Sequence, residues 1–406
     1  MNQVMEKPTV RDAVPVLQAE NLVSGIWQSV ENFIVPDLLY KCFTDDGISE
    51  TCGKILETEI FYRPETDNFY IRVHTQYYKT DAGNIVFYAV RQIGRKLNSL
   101  KYQFSGEASE ALGKALKKTV SHSGLVAIQK LLKTEPQLIR MSDEIDPHGF
   151  IMTPGGCRDP FTGSLLQRPG SVFTKCTNYN PETGAVPVQF YKFLTDVFKV
   201  DDESKTESEN DEETNNVILR LLDVLAAAIT GSAPQLEKFL IFSGPGGTGK
   251  QQLLECLENV LGDYFVWMRP ESLYEVANAG GDTPRSDLLR IQGSLVIGIS
   301  EPSDAKISAS LFKTLGSGEP IPCRPHHSRH IIEVRPRGLF IIATNRKPYI
   351  THDSGVDRRI ECYEFSKEFF KSKNRIPDIG VKIAKSEGPQ ILGELIRRAA
   401  AWKAEG

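Results

Sequence analysis

Gly244-Pro245-Gly246-Gly247-Thr248-Gly249-Lys250-Gln251 is the stretch that decides the fold. It follows the apolar run Phe239–Phe242 and precedes Leu253, Leu257 and Val260 at helical spacing, which predicts a strand, a loop and a helix. Glycines let a loop curl until many backbone N–H groups point into one concavity, and the following helix contributes its positive N-terminal end. The predicted phosphate-binding residues are Gly244, Pro245, Gly246, Gly247, Thr248, Gly249, Lys250 and Gln251.

One residue of this loop departs from the usual pattern. The pattern G-x-x-x-x-G-K-S/T is met at every place but the last, where Gln251 stands instead of the hydroxyl that would ligate Mg²⁺. Lys250 supplies a point charge for the β- and γ-phosphates of a nucleotide. Either the Gln251 carbonyl oxygen ligates the metal less compactly, which makes Gln251 a candidate ligand, or phosphates, waters and Glu301 alone hold the Mg²⁺.

Composition defines a broad class. The 406 residues are 40% hydrophobic and 25% charged, as in a globular protein of two or three domains. The net charge of −4 argues against uniform coating of nucleic acid or of an anionic membrane. Since there is neither a signal peptide nor an apolar run of membrane-spanning length, we expect a cytoplasmic protein. The seven scattered cysteines lack C-x-x-C pairs, so reduced thiols are expected.

Local patterns predict several elements upstream of the loop. Two strands joined by a turn are predicted between Glu57 and Tyr78, and one or two amphipathic helices between Ala108 and Leu132. Short strands with tight turns are predicted between His148 and Leu166, and a helix from Tyr191 to Phe198. Together they predict a smaller α+β domain before the loop.

An acidic stretch separates these elements from the loop. Residues 201–213 hold eight acidic residues against Lys205, which predicts a solvated linker. The resulting domain plan has an N-terminal arm (1–35), an α+β domain (36–199), an acidic linker (200–216), a nucleotide-binding domain (217–375) and a C-terminal helical segment (376–406). The strands and helices that alternate after the linker predict an α/β domain with a mainly parallel sheet.

Polar residues follow two more apolar strands. The apolar run Leu295–Ser300 is followed directly by Glu301, and the run Gly338–Thr344 is followed directly by Asn345. A strand-end acid downstream of a phosphate loop holds Mg²⁺ or orients the attacking water, and an amide there hydrogen-bonds the γ-phosphate. Arg358 and Arg359 follow, where they could provide the cation that stabilises phosphoryl transfer from a neighbouring subunit. The alternative is a surface ion pair with Asp353 or Asp357.

A basic segment lies between these two strands. Residues 321–347 contain six Lys or Arg and three His against the single acid Glu333, in a strand–turn–strand pattern that suits a hairpin tracking a phosphate backbone. A metal site and an ordinary surface turn are the alternatives, although the histidine spacing matches no zinc pattern. The candidate DNA-binding residues are Lys313, Arg324, His326, His327 and Arg329.

This ordered set resembles the superfamily 3 helicases of the phage, plasmid and poxvirus primase-helicase type, over roughly residues 145–400. The motifs that carry the resemblance are the phosphate loop, Glu301 at its strand end, Lys313–Glu319 followed by Arg324, Ala343-Thr344-Asn345, and Asp357-Arg358-Arg359. Upstream, Thr153–Gly156, Asp159 and Thr162-Gly163 resemble the helper domain that precedes the motor in that family.

The resemblance implies an AAA+-like P-loop NTPase core in the nucleotide-binding domain. It also implies a hexameric ring that hydrolyses ATP with Mg²⁺ at subunit interfaces, moves along single-stranded DNA, and replicates a plasmid, phage or other mobile element with further replication proteins. Lys250, Glu301, Asn345, Arg358 and Arg359 would be its catalytic residues. The substitution at Gln251 predicts weaker or conditional ATP hydrolysis.

Three functions follow from these residues. The first is an ATP-driven DNA helicase, and the second is a nucleotide-gated DNA-binding or assembly protein that turns over little ATP because of Gln251. The third is a nucleoside triphosphatase that acts on proteins. The basic segment around Arg324 and Arg329 favours the first two, because a protein remodeller needs no phosphate-tracking hairpin.

Overall fold

The computed structural model describes residues 41–81, 84–167, 170–275, 285–302, 305–325, 331–346, 348–369 and 376–405. The N-terminal arm (1–35) lies outside these residues. The chain divides into two compact units, Met1–Ile145 and Asp146–Gly406. Among the described residues, no helix combines the length and the apolar character needed to cross a membrane.

The first unit packs helices around a small antiparallel sheet. Its elements are α1 (Asp45–Leu56), β1 (Ile60–Arg63), β2 (Asn68–His74), β3 (Tyr77–Thr80), α2 (Ile85–Ser99), α3 (Glu107–Leu116) and α4 (His122–Leu132). Strands β1 and β2 form the predicted hairpin, with Ile60 opposite Ile71. The helical pattern of Ala108–Leu132 becomes two helices, α3 and α4, because the Ser121 side chain caps α4 by accepting from the Gly124 N–H.

The second unit begins with the short strands and the helix that the sequence predicts. These are β4 (Ile151–Thr153), β5 (Gly156–Arg158) and α5 (Val188–Phe198). Strands β4 and β5 pair antiparallel, with Met152 opposite Cys157. Because these elements belong to the unit that starts at Asp146, the division of the chain falls inside the range 36–199. The domain limits given above otherwise remain predictions.

The acidic stretch corrects one expectation. Residues 207–216 are not an irregular linker, because helix α6 runs from Glu207 to Ile229. The Thr206 side chain caps this helix by accepting from the Glu209 N–H, and the Glu209 carboxylate accepts from the Thr206 backbone N–H, which completes a capping box. Acidic side chains in the first turn also interact favourably with the helix dipole. The negative charge that suggests a linker therefore stabilises the start of a helix.

The second unit is built on a five-stranded parallel sheet, which confirms the predicted fold class. After α7 (Ala233–Leu236), the strands are β6 (Phe239–Ser243), β7 (Phe265–Trp267), β8 (Val296–Ser300), β9 (Ile321–Cys323), β10 (Ile332–Val334), β11 (Leu339–Thr344) and β12 (Ile360–Glu364). The helices are α8 (Lys250–Leu261), α9 (Ala309–Ser317), α10 (Ser354–Asp357) and α11 (Ile379–Glu405). The sheet order is β12-β6-β11-β8-β7 with every neighbouring pair parallel, and β9 and β10 form a separate hairpin.

The register of the central strands places their carboxyl ends together. All six residues of β11 are buried, as expected for a strand covered on both faces of a parallel sheet. Thr344 pairs with Ser243 at the end of β6, and Ala343 pairs with Ser300 at the end of β8. The residues that follow β6, β8 and β11 therefore meet at one edge of the sheet, which we call the carboxyl edge.

Candidate functional site

The loop after β6 has a backbone that requires glycine. Gly244, Gly247 and Gly249 have φ values of +148°, +77° and +97°, which side chains rarely tolerate. A Cβ atom on Gly244 would lie 2.0 Å from the carbonyl oxygen of Phe365. Helix α8 begins directly after Gly249, so its free N–H groups face the loop as an anion site requires.

Lys250 lies inside this loop. It is only 7% exposed, and its Nζ donates to the carbonyl oxygens of Gly244 and Pro245 at 2.6 Å each and to Thr248 Oγ1 at 3.2 Å. Burial lowers the pKa of the Lys250 ammonium, and the charge of Glu301 partly opposes that shift. The ammonium is therefore held by neutral oxygens that phosphate oxygens can replace.

Glu301 and Asn345 meet at the carboxyl edge. The Glu301 backbone N–H donates to the Ala343 carbonyl at 2.8 Å, and Asn345 Nδ2 donates to Glu301 Oε1 at 3.1 Å. Both side chains are exposed. Glu301 has a φ of +45°, an unfavourable conformation that functional sites often contain. The structure thus brings Lys250, Glu301 and Asn345 to one edge.

Gln251 occupies the first turn of α8 and is exposed. Its Nε2 donates to Glu255 Oε1 at 3.3 Å, one turn further along the helix. Among the described residues, no three His, Cys, Asp or Glu side chains lie close enough together to hold a metal ion. The exposed Glu301 carboxylate nevertheless suits Mg²⁺, which usually binds one or two carboxylates together with water and substrate phosphates. Gln251 stays a predicted ligand.

Arg358 and Arg359 lie at the other edge of the sheet. They precede β12, and the Phe239 N–H at the start of β6 donates to the Arg359 carbonyl at 2.7 Å. Strand β6 therefore separates them from Lys250 by roughly 16 Å, the length of five extended residues. The structure does not bring these arginines to the phosphate loop of their own chain.

The two arginines differ in their surroundings. Arg359 is 5% exposed, and it donates to Glu237 Oε1 and Ser317 Oγ at 2.9 Å each and to the Gly355 carbonyl at 2.7 Å. The side chain of Arg358 is 62% exposed and donates to Glu237 Oε2 at 2.7 Å. Arg359 is thus a buried anchor, whereas Arg358 is an accessible cation.

An open groove of about 590 Å³ lies beside these arginines. Its lining residues are Ser310, Lys313, Thr314, Ser317, Glu319, Gly355, Arg358 and Arg359. Lys313 is a candidate DNA-binding residue that lines this groove together with Arg358, and it forms an ion pair with Asp353 at 2.8 Å. A role in DNA contact stays a prediction for Lys313.

The basic segment forms the hairpin that its pattern predicts. Strands β9 and β10 pair antiparallel, with Cys323 opposite Ile332. Arg324 directly follows β9 and is exposed. The other candidate DNA-binding residues, His326, His327 and Arg329, lie outside the described residues.

Sequence reasoning missed a segment that crosses the loop. Phe365–Phe369, the five residues after β12, are here called the exit segment. The Phe365 N–H donates to the Ser243 carbonyl at 2.7 Å, and the Phe369 N–H donates to the Gly247 carbonyl at 2.9 Å. The two phenylalanines of the exit segment indicate that the segment packs against the protein, but the local sequence does not show which loop it contacts.

This chain has low sequence identity to the known proteins that it resembles. No family model matches the chain. A stretch of 153 residues, 37% of this chain, is 26% identical to a protein of Acanthamoeba polyphaga mimivirus that is provisionally named helicase L207/L206, and the match spans 16% of that protein. Two structures of the NrS-1 C-terminal region each cover 86% of this chain, and 68% and 69% of the NrS-1 chains, at 13% and 14% identity. Their TM-scores of 0.48 do not establish a common fold.

Proposed function

We propose that this chain is an ATP-dependent DNA helicase that acts in the replication of a virus, plasmid or other mobile element. One observation carries the proposal. The buried Lys250, the strand-end acid Glu301 and the amide of Asn345 belong to different strand ends of one parallel sheet, and the Lys250–Glu301 electrostatic interaction and the 3.1 Å bond between Asn345 and Glu301 link them. This is the residue set that phosphoryl transfer to water requires.

Each of these residues has a distinct part in hydrolysis. Lys250 exchanges its bonds to the loop carbonyls for bonds to the β- and γ-phosphates. Glu301 orients the attacking water and accepts its proton, once Asn345 turns from the Glu301 carboxylate to the γ-phosphate. Bound Mg²⁺ would neutralise phosphate charge, and Glu301 would hold it through water.

A ring assembly explains the position of Arg358. Because Arg358 lies at the opposite edge from Lys250 in its own chain, it reaches a nucleotide only when a second copy places its carboxyl edge against the groove. A head-to-tail contact of this kind repeats from copy to copy and forms a ring when the rotation between copies closes, and we propose a hexameric ring around single-stranded DNA. The exposed Arg324 on the β9–β10 hairpin would then contact the DNA backbone.

The likeness to the mimivirus protein supports a helicase, as does the resemblance to superfamily 3 helicases.

A second function is favoured by a specific observation. Position 251 offers no hydroxyl to a metal ion, and the Gln251 amide donates to Glu255. A chain that binds ATP but turns it over slowly would serve as a nucleotide-gated DNA-binding or replication-initiation assembly protein.

One experiment distinguishes these functions. The protein is mixed with ATP, Mg²⁺ and a forked DNA duplex, and phosphate release and strand separation are followed together. The helicase proposal predicts that both occur and that Lys250→Ala abolishes both. Nucleotide binding without hydrolysis supports the assembly protein, and hydrolysis without strand separation contradicts the helicase.

A further inference from the structure

The exit segment is fixed beside the phosphate loop by its backbone and its aromatic core. Besides the bonds to Ser243 and Gly247, the Phe365 ring lies 4.9 Å from Phe198 and 5.1 Å from Phe242 between ring centroids. Phe365 is fully buried. This packing holds the backbone of the segment in place, so the residues that follow Phe365 have a defined position next to the loop.

Sheet order determines which part of a nucleotide would face this segment. Glu301 and Asn345 follow β8 and β11, which lie on one side of β6. The γ-phosphate must therefore point to that side, where hydrolysis takes place. The nucleoside then extends from the loop to the other side of β6, where β12 is the neighbouring strand and the exit segment continues it.

The exit segment has the chemistry to receive a base. Phe369 is half-buried, and its backbone N–H donates to the Gly247 carbonyl. The Phe369 ring therefore belongs to a residue that is directly hydrogen-bonded to the phosphate loop. The Nζ of Lys367 lies 5.4 Å from the centre of that ring, and Lys367 is exposed. An aromatic face binds a base by stacking, and an ammonium donates to the ring nitrogens of a purine.

We propose that Phe369 and Lys367 form the nucleobase subsite of this chain, which receives the base of a nucleoside triphosphate. The inference rests on the proposed nucleotide-binding function. Phe369 provides the stacking surface and Lys367 a hydrogen-bond donor to the base. Recognition by stacking is tolerant of the base, because every base has an aromatic face, so ATP and GTP bind with similar affinity and both bind better than a triphosphate without a nucleoside.

The test compares ATP with inorganic tripolyphosphate, which has the phosphates but no base. Dissociation constants for both ligands are measured for the wild-type chain and for Phe369→Ala and Phe369→Trp. We expect Phe369→Ala to weaken ATP binding roughly 5- to 150-fold, the range of one base–aromatic stack, and to leave tripolyphosphate binding unchanged. Phe369→Trp retains ATP binding because it retains an aromatic face. Lys367→Ala weakens ATP binding less than Phe369→Ala does.

The outcomes separate the subsite from the proposed function. If the wild-type chain binds neither ligand, nucleotide binding itself fails and the subsite fails with it. If the wild-type chain binds both ligands and Phe369→Ala binds ATP as tightly as the wild type, only the subsite is overturned. An equal loss of both ligands in Phe369→Ala also overturns it, because the change then damages the loop. Lys250→Ala is the matched control that loses both ligands with Phe369 intact.

Discussion

Arg358 and Arg359 are adjacent, but we expect alanine at position 359 to lower stability and alanine at position 358 to lower activity. Arg359 is buried and makes three hydrogen bonds, two of them to side chains and one to the Gly355 carbonyl. Removing it leaves the Glu237 carboxylate without its buried partner. We expect Arg359→Ala to lower the free energy of unfolding by about 3 kcal/mol, which lowers the melting temperature by roughly 6–12 °C in a unit of this size.

Arg358→Ala should leave the fold intact and remove activity. Its side chain is 62% exposed and pairs only with Glu237 among the bonds described above, and such surface pairs contribute about 1 kcal/mol or less. If Arg358 stabilises the charge of phosphoryl transfer in a neighbouring copy, its loss lowers the ATP hydrolysis rate by roughly 10³–10⁵-fold. Thermal unfolding and phosphate release, measured on both variants, check the pair.

Mixing variants tests whether Arg358 acts on a neighbouring copy. Arg358→Ala keeps an intact phosphate loop, and Lys250→Ala keeps Arg358, so mixed assemblies contain some complete interfaces and recover part of the wild-type hydrolysis. The control replaces Lys250→Ala by a chain with both substitutions, which restores nothing. Hydrolysis of ATP by Arg358→Ala at the wild-type rate would contradict a catalytic role for Arg358, and an unchanged melting temperature of Arg359→Ala would contradict a structural role for Arg359.

Three further changes test separate parts of the site. Gln251→Ser restores a hydroxyl ligand for Mg²⁺, so DNA-stimulated ATP hydrolysis should rise, and a fall would show that the glutamine itself takes part. Gly244→Ala places a Cβ atom 2.0 Å from the Phe365 carbonyl oxygen at a φ of +148°, so ATP binding by calorimetry should be lost, and wild-type affinity would contradict the loop geometry. Arg324→Ala should weaken single-stranded DNA binding and reduce the slope of log affinity against log salt by about 0.7, whereas Arg220→Ala, which removes a surface pair with Glu361, should leave the slope unchanged.

Sequence predicted the central sheet and its polar strand ends because both depend on local patterns. Runs such as Leu339–Thr344 are apolar throughout, which is typical of a strand buried in a parallel sheet. Parallel strands end at the same edge, which is why Glu301 and Asn345, each predicted at the end of a strand, meet there. The hydrogen bond between them depends on register, which the sequence alone does not give.

Charge composition alone predicts the wrong local structure for the acidic stretch, because acidic residues are common both in linkers and in the first turn of a helix. The acidic composition of residues 201–213 predicts a linker, yet Thr206 and Glu209 form a capping box that starts a helix. That S/T-x-x-E signal is present in the sequence. The pairing of Glu237 with Arg358 and Arg359 joins residues more than a hundred positions apart. No local pattern predicts such a contact, because only the parallel pairing of β6 and β12 brings it about.

The most direct measurement of the central claim is phosphate release in single-turnover reactions with ATP, Mg²⁺ and single-stranded DNA, comparing the wild-type chain with Glu301→Gln. Glutamine keeps the size of the side chain and an acceptor for Asn345, but it does not accept a proton from water. We expect Glu301→Gln to bind ATP within a few-fold of wild type and to release phosphate roughly 10²–10⁴-fold more slowly. An unchanged rate in Glu301→Gln would contradict it.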